Sequence, residues 1–231
     1  MTTDSLRTGL LLFPRLTQLD MTGPFEVFTR IPGNEVHLLW KSLDPVAADS
    51  GLGLLPTTTF AACPPLDVIC VPGGPGVLAL MEDVEVLDFL RRMAEHARYV
   101  TSVCTGSLVL GAAGLLKGRR ATSHWMSREF LREFGAEPVA ERTVVDGNVI
   151  TGGGVTAGID FALTIAAELC GEQTAQEIQL AIEYDPQPPF QAGSPRTADA
   201  GLVERVTGRS KTRQDERAAA IRRIAAGMGA G

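Results

Sequence analysis

The chain has little of what many specialised sites require. Its four cysteines, Cys63, Cys70, Cys104 and Cys170, are scattered, with no CxxC pair and no Cys/His spacing. That argues against a zinc site or a disulfide framework. Histidine occurs only three times, at His37, His96 and His124. No apolar run approaches the roughly 20 residues that span a bilayer. The N-terminal stretch Met1–Arg7 leads into Gly9–Phe13, a run too short for a signal h-region and without a cleavage pattern, so a cytoplasmic location is expected. Neither glycine cluster has the spacing of a phosphate-binding loop, so no nucleotide is implied. There are no internal repeats and no low-complexity tract.

Positive charge is also scarce. The net charge of −6 argues against a nucleic-acid partner. The exception is residues 203–231, which hold seven Lys/Arg (Arg205, Arg209, Lys211, Arg213, Arg217, Arg222 and Arg223) and three acids. The remainder carries 14 basic and 24 acidic residues, a charge of −10. A basic helix of this kind is commonly a solvated or subunit-packing one.

What is present is an ordinary globular composition, 45% hydrophobic and 21% charged, over 231 residues. Such a chain can bury a substantial core in one α/β domain. Buried-strand patterns fall at Arg7–Phe13, Glu35–Trp40, Asp67–Val71 and Tyr99–Val103, with a short one at Arg120–Ser123. Val46–Phe60, broken by Gly51 and Gly53, suggests a small antiparallel excursion. Asp146-Gly147-Asn148 between two β-branched runs signals a hairpin. Helices are expected from Pro24 towards Arg30, over Val84–His96 capped by Asp83, near Ser127–Phe134, over Thr156–Leu169 and over Glu172–Tyr184. Asp185–Thr197 is proline-rich and irregular, and Gly201–Ala226 reads as a final polar helix. Strands alternating with helices predict a doubly wound, mostly parallel sheet covered on both faces. The whole of 1–231 reads as one domain, with 198–231 as a C-terminal helical extension.

The chemistry concentrates at Tyr99–Gly111. A β-branched run stops at Cys104, and an apolar run with small residues begins directly after it. Cys104 thus occupies a strand-to-helix turn, the position of the serine in a nucleophile elbow. Backbone N–H groups at the helix start would favour its thiolate. A buried free cysteine is the bland alternative, but a junction flanked by Thr and Gly favours a nucleophile. Ligands of doubly wound sheets bind outside the carboxyl ends of the strands. Gly73-Gly74, Cys104 and Gly152-Gly153-Gly154 all follow strands at that edge. Asp20, just after the first strand, either belongs to this edge or caps the helix near Pro24. His124 follows a strand twenty positions after Cys104 and either approaches the thiol or is a packed, satisfied histidine.

Leu10-Leu11-Leu12-Phe13-Pro14 with Leu19-Asp20-Met21-Thr22-Gly23-Pro24, then Val71-Pro72-Gly73-Gly74, then Ser102-Val103-Cys104-Thr105-Gly106, resembles the ThiJ/PfpI superfamily. Thr151-Gly152-Gly153-Gly154-Val155-Thr156-Ala157-Gly158-Ile159-Asp160 and Tyr184-Asp185-Pro186-Gln187-Pro188-Pro189-Phe190 narrow the resemblance to the isocyanide hydratases. Together these motifs span roughly Gly9 to Pro195.

The resemblance implies a flavodoxin-like fold, a homodimer, no cofactor or metal, and hydration of isocyanides to N-substituted formamides. It implies Cys104 as nucleophile and Asp20 as general acid/base, with Thr105 lining the site. Gly74, Gly153, Val155 and His124 are the expected pocket residues. Many superfamily members carry glutamate at the Asp20 position, and protease-like members carry histidine where this chain has Thr105. Both departures count against protease, glyoxalase and deglycase activities. AraC-type transcription regulators share much of the pattern, but about 30 residues after Thr197 cannot hold two helix-turn-helix units. The competing expectations are another cysteine enzyme acting on reactive carbonyls, and a non-enzymatic ligand or oxidation sensor.

Overall fold

The computed structural model describes Ser5–Met228; residues 1–4, part of the N-terminal stretch considered above, and 229–231 lie outside the described residues. Five central strands, β1 (Leu6–Leu11), β2 (Asn34–Trp40), β6 (Val68–Val71), β7 (Tyr99–Val103) and β11 (Val149–Gly152), run parallel. β5 (Thr58–Thr59) extends one edge in parallel, and β10 (Thr143–Asp146) closes the other antiparallel to β11. The seven-stranded order is β10-β11-β7-β6-β1-β2-β5. The five central strands therefore follow the flavodoxin order, with the switch point between β1 and β6. β6 is buried along its whole length and β7 over all but Tyr99, as required of strands covered by helices on both faces.

Two small pairs lie outside this sheet: β3 (Val46–Ala47) with β4 (Gly53–Leu54), and β8 (Arg120–Ala121) with β9 (Glu137–Pro138). The first is the expected antiparallel excursion. The hairpin joining β10 and β11 turns at Gly147, whose φ is +59°.

The helices are α1 (Gln18–Phe28), α2 (Val77–Leu80), α3 (Val84–Ala94), α4 (Gly106–Ala112), α5 (Ala157–Cys170), α6 (Glu172–Ala181) and α7 (Ala200–Met228). The Asp83 carboxylate accepts from Val86 N–H at the start of α3, as expected of an N-cap. One expectation fails. Pro24 does not open α1 but sits inside it, because α1 starts at Gln18 and places Asp20 in its first turn. The helix expected near Ser127–Phe134 is a 3₁₀ helix over Arg128–Phe134, ended by Gly135 at φ +74°.

Helix α7 folds back onto its own chain. It packs against the 128–134 segment and buries Ser210, Arg217, Ala218, Ala220 and Ile221. Ile221 joins the same apolar cluster as the sheet. Part of the basic charge is used there: Arg223 pairs with Glu82 and Lys211 with Asp215. Among the described residues, no helix is long and apolar enough to cross a membrane.

Candidate active site

Three strand ends converge at the switch point. The loop after β1 leads into α1, whose first turn carries Asp20. The loop after β6 carries Gly73 and Gly74, and the turn after β7 carries Cys104. Asp20 is completely buried, and its Oδ2 accepts from Gly73 N–H at 2.9 Å. It is not a helix cap. Gly73 is required by this approach, since a Cβ there would lie 2.7 Å from Asp20 Oδ2 and 2.6 Å from Thr105 N. Gly74 N–H donates to Thr105 Oγ1 at 3.0 Å, tying the second loop to the third.

Cys104 has φ +55°, a left-handed conformation that a non-glycine residue rarely adopts. Its surroundings hold it there. Its N–H donates to Gly152 O at 3.0 Å. Its carbonyl accepts from Ser107 Oγ at 3.2 Å and from Ser123 Oγ at 3.0 Å. Gly106 follows because a Cβ at that position would overlap the Val71 carbonyl. Strain maintained by so many contacts is typical of functional sites.

Burial is the largest influence on the Cys104 thiol and pushes its pKa well above the ordinary value, and the Asp20 charge pushes it further. The Thr105 N–H and hydroxyl oppose this, as expected of a helix start, but burial outweighs them and favours the thiol over the thiolate. Burial also raises Asp20 to about 7, moderated by the Gly73 N–H and the thiol. Asp20 Oδ1 has no hydrogen-bond partner among the described residues. Carboxyl and thiol thus form a buried pair within which a proton can pass.

A cavity of about 130 Å³ reaches the thiol. Cys104, Thr105, Gly74, His124 and Val155 line it, while Asp20 lies buried behind it. Gly153, expected with them, does not line it: it lies in a neighbouring groove, where its N–H donates to Arg142 O. His124 makes no hydrogen bond to Cys104. Met126 N–H donates to its Nδ1 at 3.3 Å, which leaves Nε2 as the protonated nitrogen of a neutral ring. Burial first, then Arg217 and Arg213, lowers its pKa to about 4.

The sequence reading missed the rest of the wall. Arg213, Gln214 and Arg217 of α7 line the cavity. Their signal was the basic tail, but helical periodicity cannot tell which face meets a site more than 100 residues earlier. Ser123, which holds the elbow, gave no signal beyond its place at a strand end. Asp160 and Tyr184, noted above as motif residues, meet away from the cavity. The Tyr184 hydroxyl donates to Asp160 Oδ2 at 2.9 Å, and Arg142 pairs with the same carboxylate.

A parallel sheet of this order with a strained elbow cysteine defines a class, and the chain belongs to the DJ-1/PfpI family, whose model matches residues 7–168. It is 58% identical over 222 residues to the isonitrile hydratase of Pseudomonas putida, covering 94% of this chain and 97% of that protein. A crystal structure of a ThiJ/PfpI family protein from Pseudomonas syringae superposes with a TM-score of 0.91 at 44% identity, covering 96% of this chain and 90% of that one. The HTH-type transcriptional regulator GbdR of Pseudomonas aeruginosa is 30% identical over 183 residues. That match covers 75% of this chain but 48% of the regulator.

Proposed function

We propose that the protein is an isonitrile (isocyanide) hydratase, a hydro-lyase converting R–N≡C to the N-substituted formamide. The observation that carries the reading is the buried Asp20–Cys104 pair at the strained elbow, in a chain matching the Pseudomonas putida isonitrile hydratase over nearly its full length. The terminal carbon of an isocyanide must gain a nucleophile and a proton. Cys104 Sγ attacks that carbon while its proton passes to the Asp20 carboxylate. Asp20, with a pKa of about 7, then donates the proton to the same carbon, leaving a thioimidate, R–N=CH–S–Cys104. Water adds to this carbon with the regenerated carboxylate as general base, and the nitrogen takes up the proton. Collapse of R–NH–CH(OH)–S–Cys104 breaks the C–S bond, returns the hydroxyl proton to the thiol through Asp20 and releases R–NH–CHO.

Thr105 orders the Gly74 loop beside the thiol, and Val155 and neutral His124 complete the pocket. No step requires a cofactor. The chain acts as one unit with 198–231 as its helical extension, as a homodimer in the cytoplasm, on a small molecule rather than nucleic acid. Much of the basic charge of α7 is already committed to Glu82, Asp215 and the pocket wall, which supports that last reading.

The test is ultraviolet detection of formamide from an aryl isocyanide with purified protein. Turnover is expected with the native chain and not with Cys104→Ala or Cys104→Ser of unchanged circular dichroism. Retained turnover in Cys104→Ala would end the covalent mechanism.

A further inference from the structure

Arg217 has no role in the steps above, yet it is one of the few buried charges in the molecule. It is 6% exposed and shares the cavity with the thiol. Its Nη1 donates to Ser127 Oγ at 2.8 Å and reaches Gln214 Oε1 at 3.5 Å. Ser127 in turn donates to Gln214 Oε1 at 3.3 Å. These partners are neutral, and Nε has none among the described residues. A cation buried without an anion is costly.

The site's own acids do not supply that anion. Arg217 makes no ion pair among the described residues, Asp20 does not line the cavity, and burial holds the Cys104 thiol towards its neutral form, although any charge on Cys104 would favour the Arg217 cation. Arg213 adds a second guanidinium on the exposed side of the same cavity, next to Ser210. His124 lines the same cavity, and burial with these two arginines keeps it neutral. The cavity is thus cationic on the α7 side and without a negative group there.

The shape of the substrate brings this charge into play. An isocyanide is linear through C≡N–R, so when its terminal carbon is at Sγ the substituent is carried away from the buried thiol. It then occupies the cavity that Arg217 and Arg213 help to line. Arg217 Nε is closed to the cavity, so a carboxylate there would meet the guanidinium edge at Nη2, a charge-assisted contact. We propose that the isocyanides taken by this site carry a carboxylate on the substituent R, bound by Arg217 with Arg213 at the rim. The inference rests on the hydratase reading and names its substrate class.

The experiment compares isocyanoacetate with methyl isocyanoacetate, substrates that differ in charge at one end only, with the formamide products followed by NMR. The expected kcat/KM ratio favours the acid by about tenfold or more. Arg217→Gln should bring the ratio to about one, and Arg217→Lys should retain part of the preference. The second readout uses the native enzyme alone. N-Formylglycine should inhibit aryl isocyanide hydration about tenfold more strongly than its methyl ester. A native ratio at or below one, with the ester still hydrated, overturns the carboxylate and leaves the hydratase intact. An acid preference unchanged in Arg217→Gln overturns the assignment to Arg217. Absence of turnover with every isocyanide overturns the hydratase reading and this inference with it.

Discussion

At the scale of single residues, Asp20 is the informative position. A carboxyl with a pKa near 7 is protonated in the folded state at a pH where the unfolded chain has released the proton. The folded state therefore binds more protons between about pH 4 and 7, and the contribution of Asp20 to stability falls as pH rises through that window. Asp20→Asn keeps an acceptor for Gly73 N–H and removes the buried charge. It should raise stability at pH 8 by on the order of 2–4 kcal/mol in urea unfolding. The same variant should lose at least about 10²-fold in turnover, because an amide neither accepts the thiol proton nor protonates carbon. An N-cap would give the opposite pattern, a loss of about 1 kcal/mol with normal turnover. The reaction starts from thiol and carboxylate, so kcat/KM for a neutral isocyanide should rise with pH and level off above about 7. A flat profile between pH 5 and 9 would remove Asp20 from the proton path.

At the scale of elements, the sequence patterns located strands more reliably than helix starts. β6 and β7 were legible as short runs rich in β-branched residues, because strands covered on both faces favour such residues at most positions. Pro24 misplaced the start of α1. Proline suits a first helical turn, but α1 tolerates it in the interior, where Asp20 O loses only its i+4 donor. The 29-residue α7 is mostly polar, and such a helix is marginal without a docking surface. Ile221 is its deepest anchor, with no exposed surface. Ile221→Ala should cost about 2–4 kcal/mol in urea unfolding. Because α7 walls the cavity, the variant should also raise KM for isocyanides. An unchanged urea midpoint would mean that α7 contributes no stability through this contact.

At the scale of the whole molecule, the chain's acidic body and its basic α7 are partly reconciled within one subunit. Light scattering at micromolar concentration should nonetheless report about twice the 24.5 kDa chain mass, and a monomer would refute the homodimer. Deleting residues after Thr197 tests a separate matter. α7 packs on its own chain, so the truncated protein should remain dimeric while its cavity loses Arg213, Gln214 and Arg217.

The sequence by itself determined the doubly wound class, the elbow at Cys104 and the strand edge on which Gly74 and Thr105 lie. Strand burial, glycine at close approaches and a strand–cysteine–helix junction are local patterns, set by neighbours within a few positions. Only the tertiary structure decided that Asp20 is fully buried with one oxygen unpartnered among the described residues, that burial works against a Cys104 thiolate, that Gly153 lies outside the cavity and that Arg217 lies within it. Each of these depends on which distant surfaces exclude water from a group. That is fixed by packing across the whole chain rather than by the residues beside it.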